Sequence, residues 1–353
     1  MDLDLGEDQQ AIRDAVGGFL EKEVTPERVR DAEPGGFDAE VWRGLVDLGV
    51  AGMGLAESRG GMDGGLLDLA LIAEPIGAHL TPAPFVETAT VLRLLERVDA
   101  GAALADRFAE TLASDASVAT LALRPARSGT FRLVPAGAVA DLVVGLDGDD
   151  LVALDAAPPG VGSVPSNLGA APVSDRDANA GERTVLESGD AARTAFTAAL
   201  DDWRVLTAGW LSGLADRALA IGVEYATSRE QFGVPIGSFQ AVSHRLADVS
   251  TEVEGARLLY REAAWSADEG LPRMGVLAGA AYLFASETAQ KSAEESLHFH
   301  GGYGFTLEYD IQLFFRRAKT VALALDAQTP LLHDLAGRIL QGSGRDLIGV
   351  GGG

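Results

Sequence analysis

The sequence predicts a mainly α-helical fold interrupted by one small β unit. Residues 8 to about 112, and again 189 to about 342, place apolar side chains at helical spacing, whereas 113–188 breaks into short β-type runs between Gly and Pro turns. A chain of 353 residues can bury a sizeable core and has room for two or three units. The expected division is an N-terminal helical domain over 1–112, a reduced middle β domain over 113–188, a C-terminal four-helix bundle over 189–342 and a loose tail over 343–353.

In the first unit, Ile12, Val16, Phe19 and Leu20 form one stripe, and Val41, Trp42, Leu45 and Leu48 form another, with Pro26 and Pro34 between them. The Gly-rich run 52–65 reads as a loop. It leads into an apolar helix from Leu66 that Pro75 is expected to kink or end. The β-type runs lie at 118–123, 139–145, 151–154 and 184–186. In the last unit Trp203, Thr207, Trp210, Leu214, Ala218 and Ile221 make a long stripe, and Val242, Leu246, Val249, Val253, Ala256 and Tyr260 make a second. A third helix is expected over about 274–297 and a last one near 331–341.

Composition narrows the partners. Fifty-two acidic against 28 basic residues give a net charge of −24, which argues against nucleic acid or an anionic membrane and requires a local basic pocket for any anionic substrate. With no cysteine, disulfides, thiolate catalysis and Cys-ligated metal are excluded. The acidic N-terminus lacks the basic and apolar regions of a secretion signal, and no apolar run is long enough to span a bilayer. The expectation is a cytoplasmic location.

Two segments stand out chemically. In 225–241, Arg229 at a helix end, Phe232 before a Gly turn and Ser238 as expected N-cap of the next helix have the means to hold a diphosphate and stack an adenine ring. A plain helix connection accounts for the same spacing, so both readings stand at this point. In 298–319 a turn containing Gly301, Gly302 and Gly304 joins one helix to an aromatic and basic one. His298 and His300 face different sides of a helix, and no metal motif accompanies them. His79 and His244 read as surface or satisfied core residues.

These features together resemble the acyl-CoA dehydrogenase family over nearly the whole chain. Arg229-Glu-Gln-Phe-Gly233 with Phe239 and Gln240 is similar to its R-x-x-F-G…F/H-Q motif, His298-Phe-His-Gly-Gly-Tyr-Gly304 to its Q-x-x-G-G-x-G loop, and Glu57-Ser-Arg-Gly-Gly61 to the end of its P-E-x-x-G-G segment. The resemblance implies FAD as cofactor, with Arg229, Phe232, Phe239, Gln240, His298, Gly301 and Gly302 contacting the adenine end of a flavin shared with a partner chain. It also implies an acyl-CoA substrate and an electron-transfer acceptor. His298 stands where Gln is usual, and Arg317 where the R-D-A-K pattern has Asp, which puts local salt bridging there in question.

The family's chemistry uses a Glu to remove the α-proton of the thioester while the β-hydrogen leaves as hydride to the flavin. Its two known places for that Glu correspond to Leu325 and to Trp203, which precedes Arg204. Both are apolar, so no catalytic base is expected. Asp326 is a weak candidate, one residue and roughly 100° of helix away from the family position. Leu121-Ala-Leu-Arg-Pro125 replaces the flavin-ring segment A-L-T-E-P, and no W-I-T follows. With the adenine-end motifs kept, the pattern resembles the non-catalytic, β-type subunit of bacterial heterotetrameric dehydrogenases of steroid side-chain breakdown, whose partner chain carries the Glu. Residues 80–88 and 300–310 are most similar to that group. The alternatives are a homomeric dehydrogenase using a relocated base such as Asp326, and a non-redox acyl-CoA-binding or scaffold protein.

Overall fold

The computed structural model describes residues 5–165, 167–325 and 328–340. Six helices come first: α1 (Glu7–Glu23), α2 (Pro26–Asp31), α3 (Ala39–Asp47), α4 (Leu66–Ala78), α5 (Phe85–Arg97) and α6 (Ala102–Asp115). Their starts follow from local chemistry. Thr25 caps α2 ahead of Pro26, and Asp38 caps α3 by accepting from the amides of Glu40 and Val41. The run 52–65 is a loop with two short 3₁₀ turns, at Val50–Gly52 and Glu57–Arg59. α4 does not stop at Pro75 but continues to Ala78, because its apolar faces are held by α1, α7 and α8. Packing thus overrides the missing amide.

The middle segment forms six strands: β1 (Ala119–Leu121), β2 (Thr130–Val134), β3 (Leu142–Asp147), β4 (Asp150–Asp155), β5 (Ser174–Asp177) and β6 (Glu182–Ser188). One sheet has the order β1-β3-β4-β6, parallel at β1/β3 and antiparallel elsewhere; β2 and β5 form a second, antiparallel pair. The second pair was not expected. Its β5, Ser-Asp-Arg-Asp, reads as a polar turn, yet Arg176 is buried and its guanidinium donates to the carbonyls of Gly137, Ala140 and Ala156 at 2.7–2.9 Å. The expected run at 139–145 begins as a strand only at Leu142.

The bundle consists of α7 (Gly189–Ser228), a two-residue hairpin β7 (Glu230–Gln231) and β8 (Val234–Pro235), α8 (Gln240–Asp268), α9 (Met274–His300) and α10 (Ile311–Val321). A further helix, α11 (Gln328–Arg338), packs on α9 and starts and ends about three residues earlier than expected. α7 meets α4 with little side-chain volume between the backbones. A Cβ added at Gly77 would lie 1.8 Å from the Trp210 carbonyl, and one at Gly213 would lie 1.8 Å from the Glu74 carbonyl. That close approach joins the N-terminal helices to the bundle and fixes Trp203, Thr207 and Trp210 of α7 beside α4 and α5. Glu74 is buried at the same junction. Burial opposes its charge, but Arg257 at 2.7 Å and the Tyr260 hydroxyl at 2.5 Å hold its carboxyl below the ordinary value.

Candidate functional site

Two cavities involve the motif and base-position residues singled out above. The first is an open cleft of about 780 Å³ between the β7/β8 hairpin, the start of α8 and the end of α9. Phe232, Phe239, Gln240 and His298 line it. Arg229 lies next to it at the end of α7, and Gly301 and Gly302 follow directly after α9.

The hairpin turn that carries Phe232 is unusual. Phe232 has φ 55° and Gly233 φ 82°, the left-handed pair that a two-residue turn requires and that ordinarily selects Asn-Gly. An aromatic residue in that conformation costs roughly 1–3 kcal/mol. It does not recover that cost by burial, since Phe232 is 94% exposed and touches Phe239 only edge to face, with centroids 6.1 Å apart. Arg229 is also exposed and has no side-chain hydrogen bond or ion pair among the described residues. Ser238 is not the cap of α8. Phe239 holds the N-cap position, and the Ser238 hydroxyl donates to the Pro235 carbonyl at 2.7 Å.

On the opposite wall the two histidines diverge. His298 is exposed on the cleft, whereas His300 is buried, stacked on Tyr225 at 3.9 Å and donating from Nδ1 to the Ser296 carbonyl at 2.7 Å. Burial pushes the His300 imidazole below its usual pKa, so it packs as a neutral ring. Gly301 has φ 60° and ψ −142°, a region open only to glycine. Gly302 is different: nothing lies within 4 Å of a Cβ built on it. The chain's own packing does not require glycine there, and the bare backbone faces outward. His79 is half-buried with Nδ1 on the Pro75 carbonyl at 2.9 Å, and His244 is exposed on the cleft.

The second cavity is a chamber of about 500 Å³ enclosed by α4, α5, the middle strands, α7 and the end of α10. Trp203 lines it, tilted against Tyr282 at 5.5 Å; Leu323 and Ala324 also line it, and Leu325 is buried next to them. Trp203 and Leu325, the two positions at which the sequence resemblance would place a base, thus lie at or beside this chamber. Arg204 is bound into the bundle by Asp201 at 2.7 Å and Asp334 at 3.2 Å. Asp326 lies outside the described residues. Arg317 does not leave its position without a salt bridge. It pairs with Glu33 at 3.3 Å, as does Arg316, and burial pushes its guanidinium down to about 10.

Sequence reasoning did not single out Glu87. It lines the chamber from the first turn of α5, half-buried, and desolvation pushes its carboxyl up to about 7. Arg124 lines the same chamber, with no hydrogen bond or ion pair among the described residues.

Residues 6–98 match the family model for the acyl-CoA dehydrogenase N-terminal domain, and residues 193–324 the one for the C-terminal domain. Over 95% of its length the chain is 33% identical to all of acyl-CoA dehydrogenase IpdE2 of Mycolicibacterium smegmatis. The chain belongs to the acyl-CoA dehydrogenase family. This acyl-CoA dehydrogenase chain is also 31% identical to IpdE2 of Mycobacterium tuberculosis, over 94% of its own length and 98% of the relative's. Among solved structures it is similar to a chain of the ChsE4-ChsE5 complex from Mycobacterium tuberculosis, with 27% identity, TM-score 0.85 and coverage of 97% and 99%. A chain of the Tcur3481-Tcur3483 steroid ACAD variant gives 26% identity, TM-score 0.83 and coverage of 97% and 100%. Members of the family are oxidoreductases that bind FAD.

In this acyl-CoA dehydrogenase chain the two cavities described above offer that cofactor different linings. At and next to the cleft, the exposed Phe232 ring, the Arg229 guanidinium with no partner among the described residues, and the open Gly302 backbone suit an adenine and a diphosphate. At the chamber, the wall presents the Arg124 guanidinium and the Trp203 indole.

Proposed function

We propose that this chain is the β-type subunit of a heteromeric FAD-dependent acyl-CoA dehydrogenase acting on a steroid side-chain CoA ester, and that it completes the flavin site of a partner which carries the catalytic Glu. One contrast carries the reading: an adenine-end cleft where Phe232 is exposed and the neighbouring Arg229 has no partner among the described residues, against Trp203 and Leu325 at the positions that the resemblance assigns to a base. In this role Phe232 and Phe239 stack the adenine, Arg229 meets the diphosphate, Gln240 and His298 supply hydrogen bonds, and Gly301 and Gly302 leave room for the approach. When bound, FAD supplies the acceptor for the β-hydride of the acyl group. Two similar structures carry paired names, ChsE4-ChsE5 and Tcur3481-Tcur3483, and the second is called a steroid ACAD. Both points support a two-chain assembly and a steroid substrate class.

The rival homomeric enzyme would need a relocated base, for which Asp326 is the candidate. In the co-purified complex, Asp326→Asn is expected to leave turnover within about twofold of wild type. Loss of a positioned general base removes roughly 10²–10⁴-fold of rate. A fall of that size in the variant would reject the proposal in favour of the homomeric reading.

A further inference from the structure

Several polar groups around the chamber are left without partners once the fold is complete. Glu87 is the third residue of α5, a position from which an acid ordinarily accepts from the N-cap amide, but here the N-cap is Pro84, which has none. Among the described residues the Glu87 carboxyl makes no hydrogen bond or ion pair with another residue; only its own backbone amide favours its charge. Trp203 Nε1, Thr207 Oγ1 and Thr81 Oγ1 are buried without partners, and all three residues line the same chamber. A cavity whose purpose was only to pack would be expected to carry apolar residues at these positions, because buried polar groups are costly unless something meets them.

We infer that the chamber binds an apolar, ring-sized acyl group bearing a hydroxyl or carbonyl oxygen, and that Glu87 is the residue that recognises this oxygen. The inference rests on the acyl-CoA reading above and adds the substrate's chemistry to it. A volume of about 500 Å³ accommodates a bulky acyl body. Below about pH 7 the carboxyl keeps its proton and offers one O–H donor and one carbonyl acceptor, so Glu87 there donates to a ketone oxygen, and with a hydroxyl it both donates and accepts. An unsubstituted hydrocarbon leaves the carboxyl unmet, as it is in the empty fold. A matched oxygen therefore gains roughly tenfold to hundredfold in affinity.

The test uses the co-purified complex and three probes: the CoA thioesters of cyclohexylpropanoic acid and of its 4-hydroxy and 4-oxo analogues. Binding is read from quenching of tryptophan fluorescence, to which Trp203 and Trp210 at the chamber wall contribute. Wild type is expected to bind the oxygenated esters about 10- to 100-fold more tightly than the plain one. Glu87→Leu should abolish that preference while still binding the plain ester, and Glu87→Gln, whose amide also donates and accepts, should keep part of it. Equal affinities in wild type, or an undiminished preference in Glu87→Leu, overturn the inference, and binding confined to the partner's site would give that second result. Failure of every ester to bind overturns it too. Flavin content measured on the same sample then judges the subunit reading separately.

Discussion

In the co-purified complex, Arg229→Ala and Phe232→Asn are each expected to weaken flavin binding by roughly 10- to 100-fold, and the double variant by more. Stacking of a base on an aromatic ring contributes about 1–3 kcal/mol, and a hydrogen bond to a charged group about 1.5–3 kcal/mol. The substitution at 232 also separates binding from folding. Asn tolerates the left-handed conformation that Phe232 adopts at φ 55°, so Phe232→Asn should relieve strain in the hairpin and leave stability equal or up to about 1 kcal/mol higher. Arg229 has no partner among the described residues to lose, so Arg229→Ala should alter stability by less than about 0.5 kcal/mol. Flavin titration and urea unfolding of the same preparations check both points. Undiminished flavin binding in the double variant would mean that the cleft does not hold the adenine end.

The second large effect concerns Glu87 and pH. With its carboxyl raised from 4.5 to about 7 by desolvation, the folded chain holds a proton that the unfolded chain has released. For an acid shifted in this direction, stability is highest below about pH 4.5, falls as pH rises towards 7 and levels off above it. A shift of this size corresponds to a loss on the order of 3 kcal/mol at alkaline pH. Glu87→Gln has no such proton. It is expected to match wild type at about pH 4 and to be more stable by up to about 3 kcal/mol at pH 8, read from urea midpoints. The other charged groups lining the chamber among the described residues are Arg124, Arg317 and Lys319; Arg317 is paired with Glu33 and Lys319 with Glu294, whereas Arg124 has no partner among the described residues. A pH-independent difference between Glu87→Gln and wild type would show that Arg124 or another group meets the carboxylate when it ionises.

Much of this architecture was legible in the sequence because helical stripes report burial directly. Trp203, Trp210 and Leu214 declare α7, and Val249, Val253 and Tyr260 declare α8. The turns that border the exposed cleft were legible, since Gly233 marks the hairpin turn after Phe232 and Gly301 the end of the helix at His300. Strand β5 was not. Its pairing depends on Arg176 satisfying three carbonyls distant in sequence, and no local pattern encodes that. Ser238 had the composition of a cap, but its hydroxyl bonds back to Pro235. Glu87 was hidden for a related reason: an acid in the first turn of a helix ordinarily signals a solvated end. The distinguishing cue was Pro84 three residues earlier, which removes the amide such an acid would meet, and only the closure of α5 against α7 and the middle strands reveals what surrounds it.

On the reading proposed above, the chain contributes to a flavin site without carrying out proton removal. The most direct measurement is flavin content, and its bleaching by an acyl-CoA, for the chain purified alone and for the chain purified with a related acyl-CoA dehydrogenase partner. The account predicts little flavin and no bleaching alone, and bound flavin that bleaches rapidly in the complex. Stoichiometric flavin and full turnover in the solitary chain would contradict it.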